Sequence, residues 1–221
     1  MRRNFWVLLQ ACLMGVFFFG SLPLMAQGGS DTILLEKPVA SFNIDLMEAF
    51  KARHSTKAYE KKEISPKDLG TLLWAGFGVN REDGKRTVPS ARGQYFVKLY
   101  VVAASGTYLY EPKDHALRLI SNQPVKDSIG VQPYVAEASH VLVLVVDPNL
   151  YTLEATTEQK LAWGTTTIGC IGQNIYLAAA GLKLGTSFVA SLNAKVAREA
   201  LKLGEAEVPL FIMPIGYPKA K

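Results

Sequence analysis

The chain has 221 residues, 49% of them hydrophobic and 19% charged, which is ordinary globular composition with enough apolar material for a full core in one domain or two. The net charge of +5 is too mild to imply a nucleic-acid partner, and no basic stripe with interleaved aromatics occurs. Two of the positive charges, Arg2 and Arg3, open a targeting segment: residues 5–19 are almost wholly apolar, and Leu24-Met25-Ala26 offers a small residue for cleavage before the polar Gln27-Gly28-Gly29-Ser30. Residues 1–26 are therefore expected to be a cleaved signal peptide and the protein exported, periplasmic or secreted. Gly20, Ser21 and Pro23 interrupt the helix that an uncleaved anchor needs. Arg2-Arg3-Asn4-Phe5 resembles the core of a twin-arginine signal. The very short n-region, the strongly hydrophobic run and the lack of a cation before the cleavage point favour the general secretory route, with the twin-arginine route as the alternative. Leu9-Gln10-Ala11-Cys12 only faintly resembles a lipoprotein box, since the best apolar run follows Cys12. Cleavage leaves Cys170 alone, without a partner for an internal disulfide, and it is expected as a small buried apolar side chain at a helix start.

Residues 27–42 read as a linker and residues 43–221 as the folded domain. Ile44, Met47 and Phe50 recur at helical spacing and predict a short amphipathic helix that ends in the cationic run 51–57. Ser65-Pro66-Lys67-Asp68 predicts a helix start, with Leu69, Leu72, Leu73 and Phe77 as its apolar stripe and Gly76 or Gly78 as its end. A polar loop, 80–87, follows. Residues 97–103 and 107–110 predict a hairpin turned by Ser105-Gly106. The uninterrupted run 141–146 predicts a central strand buried on both faces. Residues 166–184, apolar and small side chains mixed, predict the longest helix, ended by Gly185. Asn193 is expected to cap a further short helix, and 209–215 to form a last strand. Strands and helices alternate irregularly, which favours an α+β fold over a doubly wound sheet.

Common catalytic signatures are missing from the sequence: no G-x-G-x-x-G, no phosphate-binding loop, no G-x-S-x-G, and no cysteine pairs or H-E-x-x-H for a metal. Spacing alone leaves a triad through His54, His115 or His140 open, because triad members meet only in space. The most chemically loaded stretch is Arg53-His54-Ser55-Thr56-Lys57. It places two fixed cations, an imidazole and two hydroxyls together, as phosphate recognition requires. The same composition also suits a solvated basic face at a helix C-terminus.

Five segments, taken in order, tip this balance. Arg53-His54-Ser55-Thr56-Lys57 resembles the Arg-x-Ser-x-Arg/Lys motif that opens the nitroreductase family of FMN enzymes. Leu69-Gly70-Thr71-Leu72-Leu73-Trp74-Ala75-Gly76-Phe77-Gly78 resembles its LLWAGxG helix. Pro89-Ser90-Ala91 with Tyr95 and Tyr100-Val101-Val102 resembles the PSAGALYPLxxYVV segment of the SagB-type subgroup, the thiazole- and oxazole-forming peptide dehydrogenases. Residues 172–186 resemble its QNxxLAAxxLGLGS helix, and 209–218 its closing strand. The resemblance spans nearly all of 43–221. It implies a nitroreductase-like fold, a central mostly antiparallel sheet flanked by helices, with FMN at a homodimer interface and each pocket built from both chains. It implies that Arg53 meets the phosphate and that His54, Ser55 and Lys57 line the phosphate, ribityl chain or ring edge. Pro89, Ser90 and Ala91 run beside the isoalloxazine, and Gly185 and Thr186 bring backbone N–H groups toward it. The chemistry then belongs to the flavin, with no catalytic side chain and no metal.

Two departures stand out. Arg92 replaces the subgroup's usual glycine and is a candidate to narrow the cavity, bind an acidic substrate or reach the cofactor. The chain ends soon after the closing strand, where relatives often carry a basic pair for the phosphate; Lys219 or Lys221 is a candidate substitute, and the alternative is a phosphate held by Arg53 alone. The implied function is FMN-dependent oxidoreduction of a small acceptor such as a nitroaromatic or quinone, with NAD(P)H or another electron donor. The alternatives are a SagB-like dehydrogenase that oxidises its substrate and a flavin carrier without turnover.

Overall fold

A computed structural model describes residues 31–220. The signal segment expected over 1–26, with Arg2 and Arg3, and Lys221 lie outside the described residues. In chain order the described residues form β1 (Thr32–Leu34), α1 (Leu46–Ala52), α2 (Pro66–Phe77), β2 (Val97–Ala103), β3 (Gly106–Glu111), β4 (Ala116–Ser121), α3 (Pro133–Glu137), β5 (His140–Val146), α4 (Thr157–Gly181), β6 (Gly185–Thr186), α5 (Ala194–Ala200) and β7 (Val208–Gly216). The seven strands make one sheet in the order β1-β4-β3-β2-β5-β7-β6. Every neighbouring pair is antiparallel, as the α+β expectation required.

The run at 141–146 becomes the strand around which both cores are built. Side chains alternate across a strand, so Leu142, Leu144 and Val146 pack on one face with Ile168, Ile171 and Ile175 of α4. Val141, Val143 and Val145 pack on the other face with Ala197 and Leu201. α2 begins as its sequence predicts: Ser65 Oγ accepts the Asp68 N–H at 3.0 Å, Pro66 occupies the first turn, and Leu69, Leu72, Leu73 and Phe77 are buried. Asn193 likewise caps α5 by accepting the Val196 N–H at 3.3 Å.

α4 is longer than its apolar pattern suggests. It starts at Thr157 rather than 166, where Thr156 and Gln159 form a reciprocal capping box. Its first two turns are polar enough to escape a periodicity argument. Cys170 consequently lies in mid-helix and half-buried, not at a helix start. Gly185 does not end this helix. Lys183 does, at φ 57°, as the Lys183 N–H bonds to Ala180 O at 3.2 Å and the Leu184 N–H to Ala179 O at 2.8 Å. This is a Schellman cap with lysine in the position glycine usually holds; the left-handed conformation costs a side-chain-bearing residue about 1–2 kcal/mol. Gly185 belongs to β6, and it must be small because a Cβ there would sit 2.6 Å from Thr56 Oγ1.

Two further differences concern the N-terminal part. The stretch read as a linker contains β1, the edge strand of the sheet, which pairs antiparallel with the unanticipated strand β4, Ile33 opposite Leu117. Apolar Ile33-Leu34-Leu35 suits a strand, and the edge of β4 supplies backbone partners; Leu35 N–H then bonds to His115 O at 2.9 Å. In α1 only Ala49 is buried, while Leu46, Met47 and Phe50 are 62, 62 and 48% exposed. The apolar stripe of this short helix is thus turned outward.

Candidate functional site

α1 ends at Ala52, and Arg53 is its C-cap with extended ψ of 120°, so the chain leaves the helix and runs alongside β6. Ser55 forms a parallel bridge with Thr186, and the Thr56 N–H bonds to Thr186 O at 2.9 Å. Downstream, the Glu60 N–H bonds to Tyr217 O at 2.9 Å and the Lys219 N–H to Ala58 O at 3.1 Å. The cationic stretch is therefore laced to β6 on one side and to the end of the chain on the other.

Between α1 and the C-terminal end of α4 lies a cleft of about 240 Å³ walled by Arg53, His54, Tyr176, Lys183, Thr186 and Pro218, with Ala179, Ala180 and Leu184 as apolar surface. The Arg53 guanidinium sits 5.2 Å from the centroid of the Tyr176 ring. The Tyr176 hydroxyl accepts the Phe188 N–H at 2.8 Å and shares a 2.9 Å hydrogen bond with Ser55 Oγ, so one tyrosine holds the loop on each side of β6. His54 Nδ1 donates to Ala52 O at 2.8 Å, which in the neutral ring leaves Nε2 to accept from Thr56 Oγ1 at 3.4 Å. Thr186 Oγ1 is buried at the base of the cleft with no hydrogen-bond partner among the described residues. Cations, an apolar wall and an unmatched hydroxyl suit an anion that carries a flat apolar body.

Of the residues singled out in the sequence, the structure gathers Arg53, His54, Ser55, Gly185 and Thr186 here. Lys57 is exposed and does not wall the cleft. Lys219 is exposed and paired with Glu137 at 3.1 Å. Pro89, Ser90 and Ala91 line a second cleft with Trp163, Thr166, Thr167 and Cys170, nearer the start of α4. From Cys170 to Tyr176, the nearest lining residues of the two clefts along α4, the helix advances about 9 Å at 1.5 Å per residue, and within one chain the two groups wall separate clefts. Ser90 Oγ donates to Gln94 O, closing a tight turn in which Arg92 takes φ 54°. That left-handed backbone explains a family preference for glycine at this position.

Two wall residues, Tyr176 and Lys183, went unremarked in the sequence. Tyr176 lies inside the apolar helix pattern, and Lys183 stands where a helix end ordinarily calls for glycine. The histidines do not assemble a triad. His115 bonds to Tyr110 OH and Glu36 O, both at 2.9 Å. Buried Ser139 donates its proton to Glu63 at 2.8 Å and accepts the Ile64 N–H, so His140 Nδ1, 2.8 Å from the same oxygen, is a donor rather than a base. Burial also holds the His140 imidazole below its usual range. Among the described residues no group of three or more His, Cys, Asp or Glu is placed to hold a metal ion.

One antiparallel sheet, a long helix crossing it and a cation-walled cleft at that helix's end define a nitroreductase-like α+β architecture. A solved candidate nitroreductase from Ralstonia eutropha superposes with a TM-score of 0.81 at 30% identity, covering 88% of this chain and 93% of that one. The NADPH:FMN oxidoreductase of Vibrio harveyi, solved with NAD+, shares the fold at a TM-score of 0.59 and 23% identity, covering 79% of this chain and 69% of that one. The chain belongs to the nitroreductase family, whose pattern it matches over residues 50–217. A candidate nitroreductase of Methanocaldococcus jannaschii is 29% identical over 196 residues, 84% of this chain and 97% of that one.

Proposed function

We propose that the protein is an FMN-dependent oxidoreductase working as a homodimer on a small aromatic or quinone-like acceptor, with NAD(P)H or another reduced donor. The observation that carries this reading is the convergence of Arg53 and His54 on an apolar-walled cleft with the unmatched Thr186 hydroxyl at its base. Bound there, FMN would supply the hydride or electron transfer, since no side chain of the cleft is arranged as a nucleophile or general base. Arg53 and His54 would hold the phosphate. Ser55, with its hydroxyl on Tyr176, and the Gly185–Thr186 backbone would orient the ring edge. Lys57 remains a proposed ligand from the same segment. The Pro89-Ser90-Ala91 and 172–186 segments support placing the chain nearest the SagB-type subgroup.

A second copy resolves the separation of the two clefts. A two-fold axis sets each patch of one chain against a different patch of its mate, twice. The Arg53 cleft of one protomer then meets the Pro89-Ser90-Ala91 cleft of the other. The outward Leu46, Met47 and Phe50 of α1 border the Arg53 end and are the apolar surface such an interface would cover. Arg92, exposed beside Ser90, would then stand at the mouth and select acidic substrates.

Purified mature protein is expected to be yellow, to release FMN rather than FAD on acid treatment, to bleach under argon with NADH, NADPH or dithionite, and to sediment as a dimer at micromolar concentration. Colourless protein that also refuses added FMN overturns the cofactor; a flavin-loaded monomer overturns the shared pocket.

We further propose export by the general secretory route. Changing both Arg2 and Arg3 to lysine should leave export intact, because that route needs only positive charge. Accumulation of flavin-loaded precursor in the cytoplasm would assign the twin-arginine route instead.

A further inference from the structure

Two lysines in this chain occupy the same unusual backbone position. Lys183 (φ 57°) follows α4 and Lys202 (φ 52°) follows α5. Each closes a helix by the same pair of bonds, for Lys202 the Lys202 N–H to Glu199 O at 3.3 Å and the Leu203 N–H to Arg198 O at 3.0 Å. Glycine would hold either position without strain, and the LGLGS pattern quoted above has glycine at the first. A lysine tolerated in a left-handed helix cap has one ordinary explanation, favourable interaction with the partial negative charge of the helix C-terminus. That explanation applies equally to both.

Their surroundings differ. Lys202 borders a polar recess with Lys98, Arg118 and Glu207 on another part of the surface. Lys183 walls the cleft that holds Arg53 and His54. An anion placed in this cleft lies beside the C-terminal end of α4, where the helix dipole opposes it, so a cation is needed there. The C-terminal segment does not supply one within the described residues, because Lys219 is drawn to Glu137 at 3.1 Å.

We infer that Lys183 is the second fixed cation of the phosphate site, across the cleft wall from Arg53. The inference rests on the flavin reading above and concerns how this chain holds the phosphate. The strained cap places the lysine at the cleft, and its ammonium both offsets the helix end and pairs with the phosphate opposite Arg53.

The test compares Lys183→Gly with Lys202→Gly in the dimeric mature protein, measuring dissociation constants for FMN and for riboflavin by flavin fluorescence and the melting temperature of the flavin-free protein. Both glycine variants are expected to melt no lower than wild type, since each relieves a left-handed side chain. Only Lys183→Gly should weaken FMN, by about tenfold as for one charge-assisted phosphate contact, with riboflavin affinity unchanged. Lys183→Met, which keeps the stem and the backbone strain, should show the same FMN loss. FMN affinity equal to wild type in Lys183→Gly overturns the inference and returns Lys183 to a helix cap. Equal losses for FMN and riboflavin overturn the phosphate assignment. Wild type that binds neither flavin overturns the cofactor reading itself, and the inference with it.

Discussion

Arg53→Ala is expected to weaken FMN binding by ten- to more than a hundredfold. The guanidinium offers paired, charge-assisted donors to a phosphate, and removing such a contact costs on the order of 1.5–3 kcal/mol, which converts to that range of affinity. The geometry makes the loss hard to repair. Arg53 is the C-cap of α1, its backbone is fixed by the Arg53 N–H to Ala49 O bond at 3.0 Å, and its side chain is held over Tyr176. Neither Lys51 nor Lys57, the nearest cations along the chain, belongs to the cleft wall. Lys202→Ala, a charge removed from a different surface, should leave affinity within about twofold, an effect near 0.4 kcal/mol. Titration of flavin-free protein with FMN decides the matter. Equal, small effects from both substitutions would make the Arg53 cluster a solvated basic face and nothing more.

The second large effect is structural. Ile175→Ala is expected to destabilise the fold by about 2–5 kcal/mol and to lower the melting temperature by about 4–20 °C for a domain of this size. Ile175 is fully buried in the core between the sheet and α4. It also fills the seam between α4 and α2: a Cβ added at Gly76 would lie 2.8 Å from Ile175 Cγ1, so the two helices touch there without slack. Neither helix can close over the cavity without leaving the other contacts along it. Ile33→Ala, at a sheet edge and half exposed, should change stability by no more than about 0.5 kcal/mol. A loss below 1 kcal/mol at Ile175 in denaturant unfolding would mean that the α2–α4 seam relaxes to fill the cavity.

The parts of the fold that could be read in advance are those whose cause is local. β5 was legible because six consecutive β-branched or leucine residues have no stable place except inside a sheet. α2 was legible because Ser65, Pro66 and Asp68 each favour a helix start for a separate reason. β1 and β4 were not, because Ile33-Leu34-Leu35 acquires a strand's hydrogen bonds only from a partner more than eighty positions away. The first turns of α4 were hidden by their polar side chains, although Thr156 and Gln159 carried the cap. The outward stripe of α1 marks a limit of periodicity, which says which residues share a face and not what covers that face. In the site, the Arg53 cluster was visible as chemistry packed into five positions. Lys183 was not, since a lysine with positive φ runs against the preference by which helix ends are recognised. That Pro89-Ser90-Ala91 line a different cleft from Arg53, further back along α4, is a matter of three dimensions, on which spacing is silent.

The lacing of residues 55–60 to β6 and to residues 217–219 has a consequence for how the molecule comes into being. The backbone of residues 55–60 takes its shape from Thr186, Tyr217 and Lys219, all well over a hundred positions further along the chain. Contacts so distant along the chain form late in folding. Until those contacts form, Arg53 and His54 belong to an ordinary charged loop. The cleft exists only once the final strand has zipped onto β5 and brought its tail back against residues 58–60. The cleft is thus a product of the completed tertiary fold, with the bonds of Tyr217 and Lys219 to residues 58–60 as the latch that closes it.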